Sequence, residues 1–262
     1  MKKIISNIKK ALTYFFIRNI KGAVLELGWF LRIKKYGGNL FTCPCRGAKL
    51  KSFFSTKKQK NACPRCMASI GHRLVWPYLE NEFSISSEKL KVLHFAPEYI
   101  LQEKMLKYKN LNYLSVDLHS PYAMEKVDAR RMPYASNCFD LIISSQVLQF
   151  ILEDKKAMEE MLRVLKPKGK AIILVPVKKD LKKTLENVVT AAQKRGEASC
   201  LTELVFGKSY PVRIYGSDFK KKLEGVGFKV LVENYARKLG ENKIFEYGLN
   251  PGEEIYVCTK EK

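Results

Sequence analysis

The sequence predicts an α/β fold with a mostly parallel seven-stranded sheet, preceded by a helical segment and a small cysteine-rich module. Three observations predict it. Strand-like and helix-like patterns alternate from Lys89 onward, four cysteines crowd into 24 positions before that point, and basic and aromatic residues fill the N-terminus. The 262 residues suffice for one ordinary α/β domain and a smaller appendage. The predicted segments are a basic, aromatic helical segment over 1–40, the cysteine-rich module over 41–80 and the main domain over 81–262.

Strand-like and helix-like patterns of apolar residues alternate along the main domain. Apolar runs predict strands over 90–95, 111–118, 138–144, 170–177, 228–235 and 254–259. Helical spacing predicts helices over 99–108, 154–165 and 216–225. Strands that alternate with helices require a parallel sheet with right-handed crossovers. The last two strands have no helical pattern between them, so an antiparallel hairpin is expected at the sheet edge.

Positive charge is concentrated near the N-terminus. Up to Arg73 the chain has 17 Lys and Arg residues and one acid, Glu26, so this part carries +16 of the total +22. Such a segment faces phosphate, in nucleic acid or in anionic lipid, or is simply a solvated basic face. Residues 11–33 are apolar in patches but interrupted by charges, which argues against a transmembrane span. They form either a helix in a membrane interface or a helix packed on the main domain.

Two short cysteine pairs indicate a metal site. Cys43-Pro-Cys45 and Cys63-Pro-Arg-Cys66 are separated by seventeen residues, the arrangement of a zinc ribbon with four thiolate ligands. Such a closed site is structural, since it leaves no open position for chemistry. The first pair is one residue shorter than usual; reactive or redox thiols are the alternative, and His72 is a substitute ligand. The isolated thiols, typical of a reducing cytoplasm, are Cys138, Cys200 and Cys258.

The carboxyl ends of the predicted strands are where ligands of such sheets bind. The first strand runs into His94-Phe-Ala-Pro-Glu98, and the second ends at Asp117. Val127-Asp128-Ala129 precedes the third long strand, and Ser144-Ser145-Gln146 follows it.

These residues carry a family resemblance. The run from Leu90 to Val177 resembles class I S-adenosylmethionine-dependent methyltransferases, whose Rossmann-like domain ends in an antiparallel pair. Four passages of this chain match the motifs of that family in order and spacing: Asp117, Asp128, Phe139-Asp-Leu141 and Arg163-Val-Leu-Lys-Pro-Lys-Gly169. The chain is most similar to a bacterial subgroup with an N-terminal four-cysteine zinc ribbon, on the residues Leu93 to Glu98, Phe206-Gly207, Val212-Arg213 and Tyr215-Gly216.

The resemblance implies S-adenosylmethionine as cofactor and a structural zinc at Cys43, Cys45, Cys63 and Cys66. It implies that Asp117 holds the ribose and that Asp128 with Ala129 holds the adenine. The loop from Phe95 to Glu98 would approach the methionine part, although Ala96 and Pro97 replace the usual glycines. The alternative role of Asp117, at its strand end, is that of a helix cap. The expected cofactor-binding residues are His94, Phe95, Ala96, Glu98, Asp117, Leu118, Asp128, Ala129, Ser145 and Gln146.

Two departures from the subgroup bear on catalysis. Gln146-Val-Leu-Gln149-Phe150 stands where the subgroup has a histidine-rich stretch, and Tyr210-Pro211 stands where it tends to have Asp-His. Both remove titratable groups, so no catalytic residue is assigned. The candidate bases are His94, His119 and Glu98. The sequence leaves three explanations: the acceptor is intrinsically nucleophilic, catalysis rests on proximity alone, or the chain binds the cofactor without turnover.

Three functions follow from these observations. The first is a cytoplasmic methyltransferase of a small or sugar-like acceptor in glycan or lipid assembly, with its N-terminus at the inner membrane face. The second is an RNA methyltransferase whose basic ribbon grips phosphates. The third is a non-catalytic protein that binds the cofactor.

Overall fold

The computed structural model describes residues 2–55, 61–188 and 211–262, and for residues 2–12 it describes the backbone alone. The chain divides into two compact units. One comprises Met1–Lys126 and Glu233–Ile255, and the other comprises Val127–Val232 and Tyr256–Lys262. Cys200, the Phe206-Gly207 motif and Tyr210 lie outside the described residues.

The first unit opens with a single long helix and a hairpin. Helix α1 spans Lys2–Tyr36 and ends where a Cβ on Gly37 would lie 2.6 Å from the carbonyl oxygen of Ile33. Strands β1 (Gly37–Cys43) and β2 (Ala48–Leu50) are antiparallel. Helix α2 spans Ile70–Glu82 and begins at a capping box: the hydroxyl of Ser69 accepts the N–H of His72, whose Nδ1 accepts the N–H of Ser69.

Three parallel strands complete the N-terminal part of this unit. They are β3 (Leu90–Phe95), β4 (Leu111–Asp117) and β5 (Glu125–Lys126), with helix α3 (Tyr99–Met105) crossing over between the first two. Leu90 pairs with Leu111 and Phe95 pairs with Val116, so β3 and β4 end side by side. The loops after both strands therefore start at the same edge of the sheet.

The second unit continues the alternation of strand and helix. Its elements are β6 (Phe139–Ser145), a 3-10 turn (Leu148–Phe150), α4 (Asp154–Val164), β7 (Leu165–Leu174), α5 (Phe219–Glu224), β8 (Lys229–Glu233) and β9 (Ile255–Thr259). Strands β6 and β7 are parallel, and β9 runs antiparallel to β7. Helix α4 buries Ala157, Met158, Met161 and Val164, one apolar stripe at helical spacing.

Strands β3 to β9 form one seven-stranded sheet of order β5-β4-β3-β6-β7-β9-β8. Since the pairs β3–β4, β4–β5 and β6–β7 are parallel and β7–β9 is antiparallel, the predicted mostly parallel α/β sheet is confirmed.

The last two strands are neighbours at the sheet edge as expected, but their connection is not a hairpin turn. Two short helices lie there, α6 (Tyr235–Leu239) and α7 (Glu241–Tyr247). The side chain of Asn234 accepts the N–H of Arg237 and caps α6, and Gly240 at φ 84° joins the two helices. Neither helix has a buried apolar stripe, since α6 buries only Tyr235 and Ala236 and α7 buries no residue, so the sequence pattern missed them.

Candidate functional site

The four predicted zinc ligands are buried in two turns of the same construction. The carbonyl oxygen of Cys43 accepts the N–H of Gly47 at 2.7 Å, and that of Cys63 accepts the N–H of Met67 at 2.9 Å. Gly47 and Met67 both have left-handed backbones, at φ 64° and 62°. Each turn thus places a left-handed residue four positions after its first cysteine, although the spacing of the two pairs differs.

The cysteine sulfurs lie at distances suited to a shared metal ion. The Sγ atoms of Cys43, Cys63 and Cys66 are all within 4.8 Å of one another, and those of Cys43 and Cys66 are 3.7 Å apart. Zn–S bonds of about 2.3 Å would place tetrahedral sulfurs about 3.8 Å apart, whereas a disulfide requires about 2.05 Å. The Sγ of Cys45 is outside this group of three; it lies 3.5 Å from the carbonyl oxygen of His72 and interacts with Cys43.

Hydrogen bonds among the thiols favour one negative charge at Cys43. The pKa of Cys43 is held well below its usual value because its thiolate accepts hydrogen bonds from Cys45, Cys63 and Cys66. The pKa of Cys63 is raised to about 11, chiefly through its hydrogen bond to Cys43. Burial is the main cause that raises the pKa of Cys45. The cluster therefore stabilises a thiolate, the form that binds a metal.

Arg73 supplies the positive charge beside this cluster. Its side chain is fully buried, and its guanidinium carbon lies 3.8 Å from the ring centroid of Phe53. Its N–H groups donate to four backbone carbonyl oxygens, those of Asn61, Ala68, Tyr247 and Gly248. Burial lowers the pKa of Arg73, and the charges of all four cysteines oppose that shift. Since a buried charge requires compensation, the thiolates are the counter-charge of Arg73. Sequence reasoning missed this residue, although a lone arginine before the apolar run Leu74-Val75-Trp76 was a usable signal.

A chain of polar contacts runs from the start of α2 to β4. The Nε2 atoms of His72 and His94 lie 2.9 Å and 3.0 Å from the two carboxylate oxygens of Glu98. The Nδ1 of His94 lies 2.8 Å from the hydroxyl of Tyr113. Two imidazole contacts hold the pKa of Glu98 well below its ordinary value despite burial. His94 is fully buried with both ring nitrogens bonded, so its ring orients Glu98.

The ends of β3 and β4 bring the next predicted residues together. Ala96 follows the buried Phe95 with a left-handed backbone at φ 46°, and its N–H donates to the carbonyl of Val116 at 2.8 Å. The Oδ1 of Asp117 accepts the N–H groups of His119 at 2.7 Å and of Ser120 at 2.6 Å. In the described part of the chain, Oδ2 of Asp117 accepts no hydrogen bond. Asp117 therefore closes a turn through Oδ1, no helix begins there, and the exposed Leu118 follows it.

In the second unit, Asp128 is held by an arginine that sequence reasoning missed. The Nη2 of Arg130 lies 2.7 Å from Oδ2 of Asp128, and Nε donates to both carboxylate oxygens. This pair lowers the pKa of Asp128. Ala129 is buried, and Arg130 also contacts Glu153. The Asp128 side chain therefore has a fixed orientation. The presence of an arginine two positions later in the sequence could have indicated this ion pair.

Polar atoms that lack partners among the described residues gather at the end of β6 and in the turn that follows it. Ser144, Ser145 and Gln149 are buried; among the described residues, both hydroxyls and Oε1 of Gln149 have no hydrogen-bond partner. The Nε2 of Gln149 donates to Oε1 of Gln146 at 3.0 Å, and the exposed Gln146 has a left-handed backbone at φ 59°. Buried polar atoms are normally satisfied, so orphaned ones indicate water or a ligand.

Arg213 fixes the segment that follows β6. It belongs to the Val212-Arg213 motif of the subgroup resemblance. Its guanidinium donates to Oε2 of Glu186 and to the carbonyl oxygens of Leu148, Ile151 and Leu152. Tyr215 donates to Oδ2 of Asp154 at 2.8 Å. These residues position the backbone around Gln149, whose carbonyl accepts the N–H of Val212.

Comparison with known proteins supports the class of the domain. Residues 99–173 match the family described as "Methyltransferase domain". A demethylmenaquinone methyltransferase of Paenarthrobacter aurescens is 48% identical over 46 residues, 18% of each chain. The one of Renibacterium salmoninarum is equally identical over 46 residues, 18% of this chain and 19% of its own. The chain thus covers less than a fifth of the length of these curated relatives.

One solved structure aligns with most of the chain. The S-adenosylmethionine dependent methyltransferase of Mesorhizobium loti aligns with a TM-score of 0.49 at 13% identity, over 73% of this chain and 100% of that one. The family match runs from α3 to the end of β7. The family match therefore marks a methyltransferase domain on α3 and strands β4 to β7 of the α/β sheet.

Proposed function

We propose that the chain transfers a methyl group from S-adenosylmethionine to an acceptor nucleophile. The observation that carries this proposal is the methyltransferase-domain match over residues 99–173, which includes Asp117 and Ser145 at the ends of their strands. When bound, S-adenosylmethionine supplies an electrophilic methyl group on a sulfonium. The chain's own residues bind and orient the reactants, which is where most of such a rate enhancement arises.

Asp117 is assigned to the ribose hydroxyls. Its Oδ1 is fixed by the N–H groups of His119 and Ser120, and its Oδ2 has acceptor capacity left. The carboxylate is therefore oriented before any ligand arrives. The loop from Phe95 to Glu98 is assigned to the methionine part, and Glu98 is fixed in its ionised form by two imidazoles. The left-handed backbone of Ala96 supports the idea that this loop keeps the shape that glycines give elsewhere.

Asp128 and Ala129 are assigned to the adenine. The bidentate contact with Arg130 leaves carboxylate lone pairs that accept from an amino group. Ser145 and Gln146 are assigned to the reacting end. The orphaned hydroxyl of Ser145 and the orphaned Oε1 of Gln149 support this assignment, since a ligand with donor groups would satisfy both.

The candidate bases favour catalysis by alignment. Glu98 and His94 are hydrogen-bonded to each other, so neither is free to take a proton from an acceptor. His119 is exposed to solvent. Gln146 and Gln149 carry neutral amides, which orient an acceptor but take no proton from it. We therefore assign the chain a positioning role, with the acceptor's proton lost to solvent.

The acceptor in this proposal is a sugar-like compound or a glycan or lipid precursor. The relatives' name refers to demethylmenaquinone, and the 46 matched residues agree with a lipid-borne acceptor without specifying it. The RNA alternative has less support, because Arg46 of the ribbon contacts Glu26 and Glu103, and Arg65 also contacts Glu26. These arginines are engaged within the chain.

Zinc at Cys43, Cys45, Cys63 and Cys66 completes the proposal. The 3.7 Å separation of two sulfurs, the burial of all four, and Arg73 as a neighbouring cation suit a tetrathiolate with net negative charge. The ion would hold the two turns together and keep them at the start of α2.

Asp117→Ala tests the cofactor assignment. We expect calorimetry to detect no S-adenosylmethionine binding by this variant, because charge-assisted hydrogen bonds of about 1.5–3 kcal/mol each are lost. Asp140→Ala is the matched control; it removes a strand carboxylate that contacts Lys166 at 2.7 Å and should leave the affinity unchanged. Unchanged affinity in Asp117→Ala would contradict the assignment.

Methyl transfer is tested with the radiolabelled methyl donor and a cell extract. Label should pass from the donor to a glycan or lipid fraction in the presence of the wild-type chain. Label in RNA would favour the alternative acceptor. Cofactor binding without label in any fraction would identify the chain as a non-catalytic binding protein.

A further inference from the structure

Three charged side chains in the middle and C-terminal part of helix α1 contact the body of its unit. Lys21 lies 3.6 Å from the ring centroid of Tyr122, and burial lowers the pKa of this lysine. Glu26 contacts Arg46 at 2.9 Å. Arg32 donates from Nε and Nη2 to the carbonyl oxygen of Pro64. These contacts lie on the face of the helix that packs on its unit, together with the half-buried Tyr14, Leu25 and Trp29.

The opposite face of α1 is apolar and exposed. The side chains concerned are exposed by 48–74%, and they are Phe16, Ile20, Val24, Leu27, Phe30 and Leu31. At 3.6 residues per turn they fall within a stripe about 120° wide. A surface helix of a globular protein normally has the reverse arrangement, with its apolar stripe buried. A contiguous exposed stripe of this kind marks a contact surface.

Charge indicates what covers the stripe. The exposed Lys34 and Lys35 lie at the end of the helix, and the sequence has Lys2, Lys3, Lys9 and Lys10 in its first turns. Residues up to Arg73 carry +16, so a second copy on this face would bring two strongly basic segments together. An anionic surface instead attracts them, by about 1 kcal/mol per basic residue near it.

We propose that α1 is a membrane-interface helix that lays its stripe from Phe16 to Leu31 into an anionic lipid bilayer. A helix of 35 residues is about 50 Å long, and such helices bury their apolar face by about 5–10 Å in the headgroup region. Among the described helices, none is long and apolar enough to cross a membrane, in agreement with a helix that lies in the interface plane. The proposal concerns location and is independent of methyl transfer.

Flotation of the full chain with lipid vesicles tests this proposal. We expect binding to phosphatidylcholine vesicles with about 30 mol% phosphatidylglycerol, and little binding to phosphatidylcholine alone. Phe16→Ser/Leu27→Ser should lower the partition coefficient on the anionic vesicles more than about tenfold, since two apolar anchors are lost. The matched control is Leu152→Ser/Leu231→Ser, at positions exposed by 68% and 56%, against 66% and 62% for Phe16 and Leu27. This control should bind like wild type.

Circular dichroism of both variants verifies that they fold, and all four substituted positions are exposed. Absence of binding to anionic vesicles, equal binding to both vesicle types, or an equal loss in the control variant would each overturn the proposal. A dimer that Phe16→Ser/Leu27→Ser converts to a monomer, without vesicle binding by the wild type, would assign the stripe to a second copy instead. None of these outcomes bears on cofactor binding, which is measured without lipid.

Discussion

At the scale of single residues, Glu98 links two parts of the chain that are separate in sequence. Its carboxylate contacts His72, the third residue of α2, and His94, in β3. Ser69 fixes the tautomer of His72 by donating its N–H to Nδ1, so Nε2–H points at Glu98. The helix that follows the cysteines is thereby connected to the loop assigned to the methionine part of the cofactor.

Glu98→Gln should destabilise the protein in a pH-dependent way. The pKa of Glu98 is depressed, so its ionisation contributes stability above the ordinary value of 4.5, and this contribution is lost as the pH falls below it. We expect the variant to lose about 2–3 kcal/mol of unfolding free energy at pH 7, and the difference from wild type to shrink toward pH 3. Urea unfolding at several pH values measures both effects.

The control for that experiment is Glu159→Gln. Glu159 is about half exposed, lies 3.7 Å from Lys155, and should change stability by less than about 0.5 kcal/mol. A Glu98→Gln variant whose deficit stays constant from pH 7 to pH 3 would show that packing of this side chain, and not its charge, matters.

Sequence patterns located individual residues but not their partners. Asp117, Ser145 and Gln146 were placed at strand ends, because the strand period fixes where a strand stops. The contacts of Asp128 with Arg130, and of Glu98 with His72, depend on loop geometry and on long-range packing. The periodicity of apolar residues in the sequence carries no information about loop geometry or long-range packing.

At the scale of elements, the two cysteine turns share one backbone construction although their cysteines are spaced differently. Gly47 and Met67 occupy equivalent positions, although Cys43 and Cys45 are one residue closer than Cys63 and Cys66. Spacing alone left the first turn ambiguous. Backbone hydrogen bonds to the first cysteine of each pair define the turn, and these became visible only in three dimensions.

Metal analysis tests the zinc assignment at these turns. We expect about one zinc per wild-type chain, and none in Cys63→Ser/Cys66→Ser. Removal by a chelator should lower the thermal midpoint of the wild type, because the bonds that join the two turns are lost and the negative charge beside buried Arg73 falls to the single thiolate of Cys43. Cys138→Ser, outside the cluster, should retain the metal. A metal-free wild type with an unchanged thermal midpoint would reject the zinc assignment.

For helix α1, the sequence predicted the helix but not which of its faces is exposed. The sequence predicted helical structure there and left its surroundings open, because apolar and charged residues alternate along it. The structure directs Lys21 and Arg32 inward, onto aromatic rings and a carbonyl oxygen. Such partners accept a long cationic side chain, so charge is not a reliable marker of the outer face.

At the scale of the whole molecule, the sheet order was predictable in outline and the chain path was not. Alternating strands and helices imply a parallel sheet, and the lack of a helical pattern between the last two predicted strands indicated an antiparallel ending. The chain passes between the two compact units at Lys126, at Val232 and again at Ile255. Neither unit is a continuous segment, so we expect both to unfold in one cooperative transition.

S-adenosylmethionine should therefore stabilise the whole chain. A ligand at about 100 times its dissociation constant adds about 2.7 kcal/mol, which corresponds to a rise of about 5–10 °C in Tm for a chain of this size. Calorimetry with increasing ligand measures the shift, and ATP, which shares only the adenosine part, is the control ligand. Asp117→Ala should show no shift, because the ribose contact is lost. Two separate transitions, of which the ligand moves only one, would contradict the expected cooperativity, and an equal shift in Asp117→Ala would contradict the ribose contact.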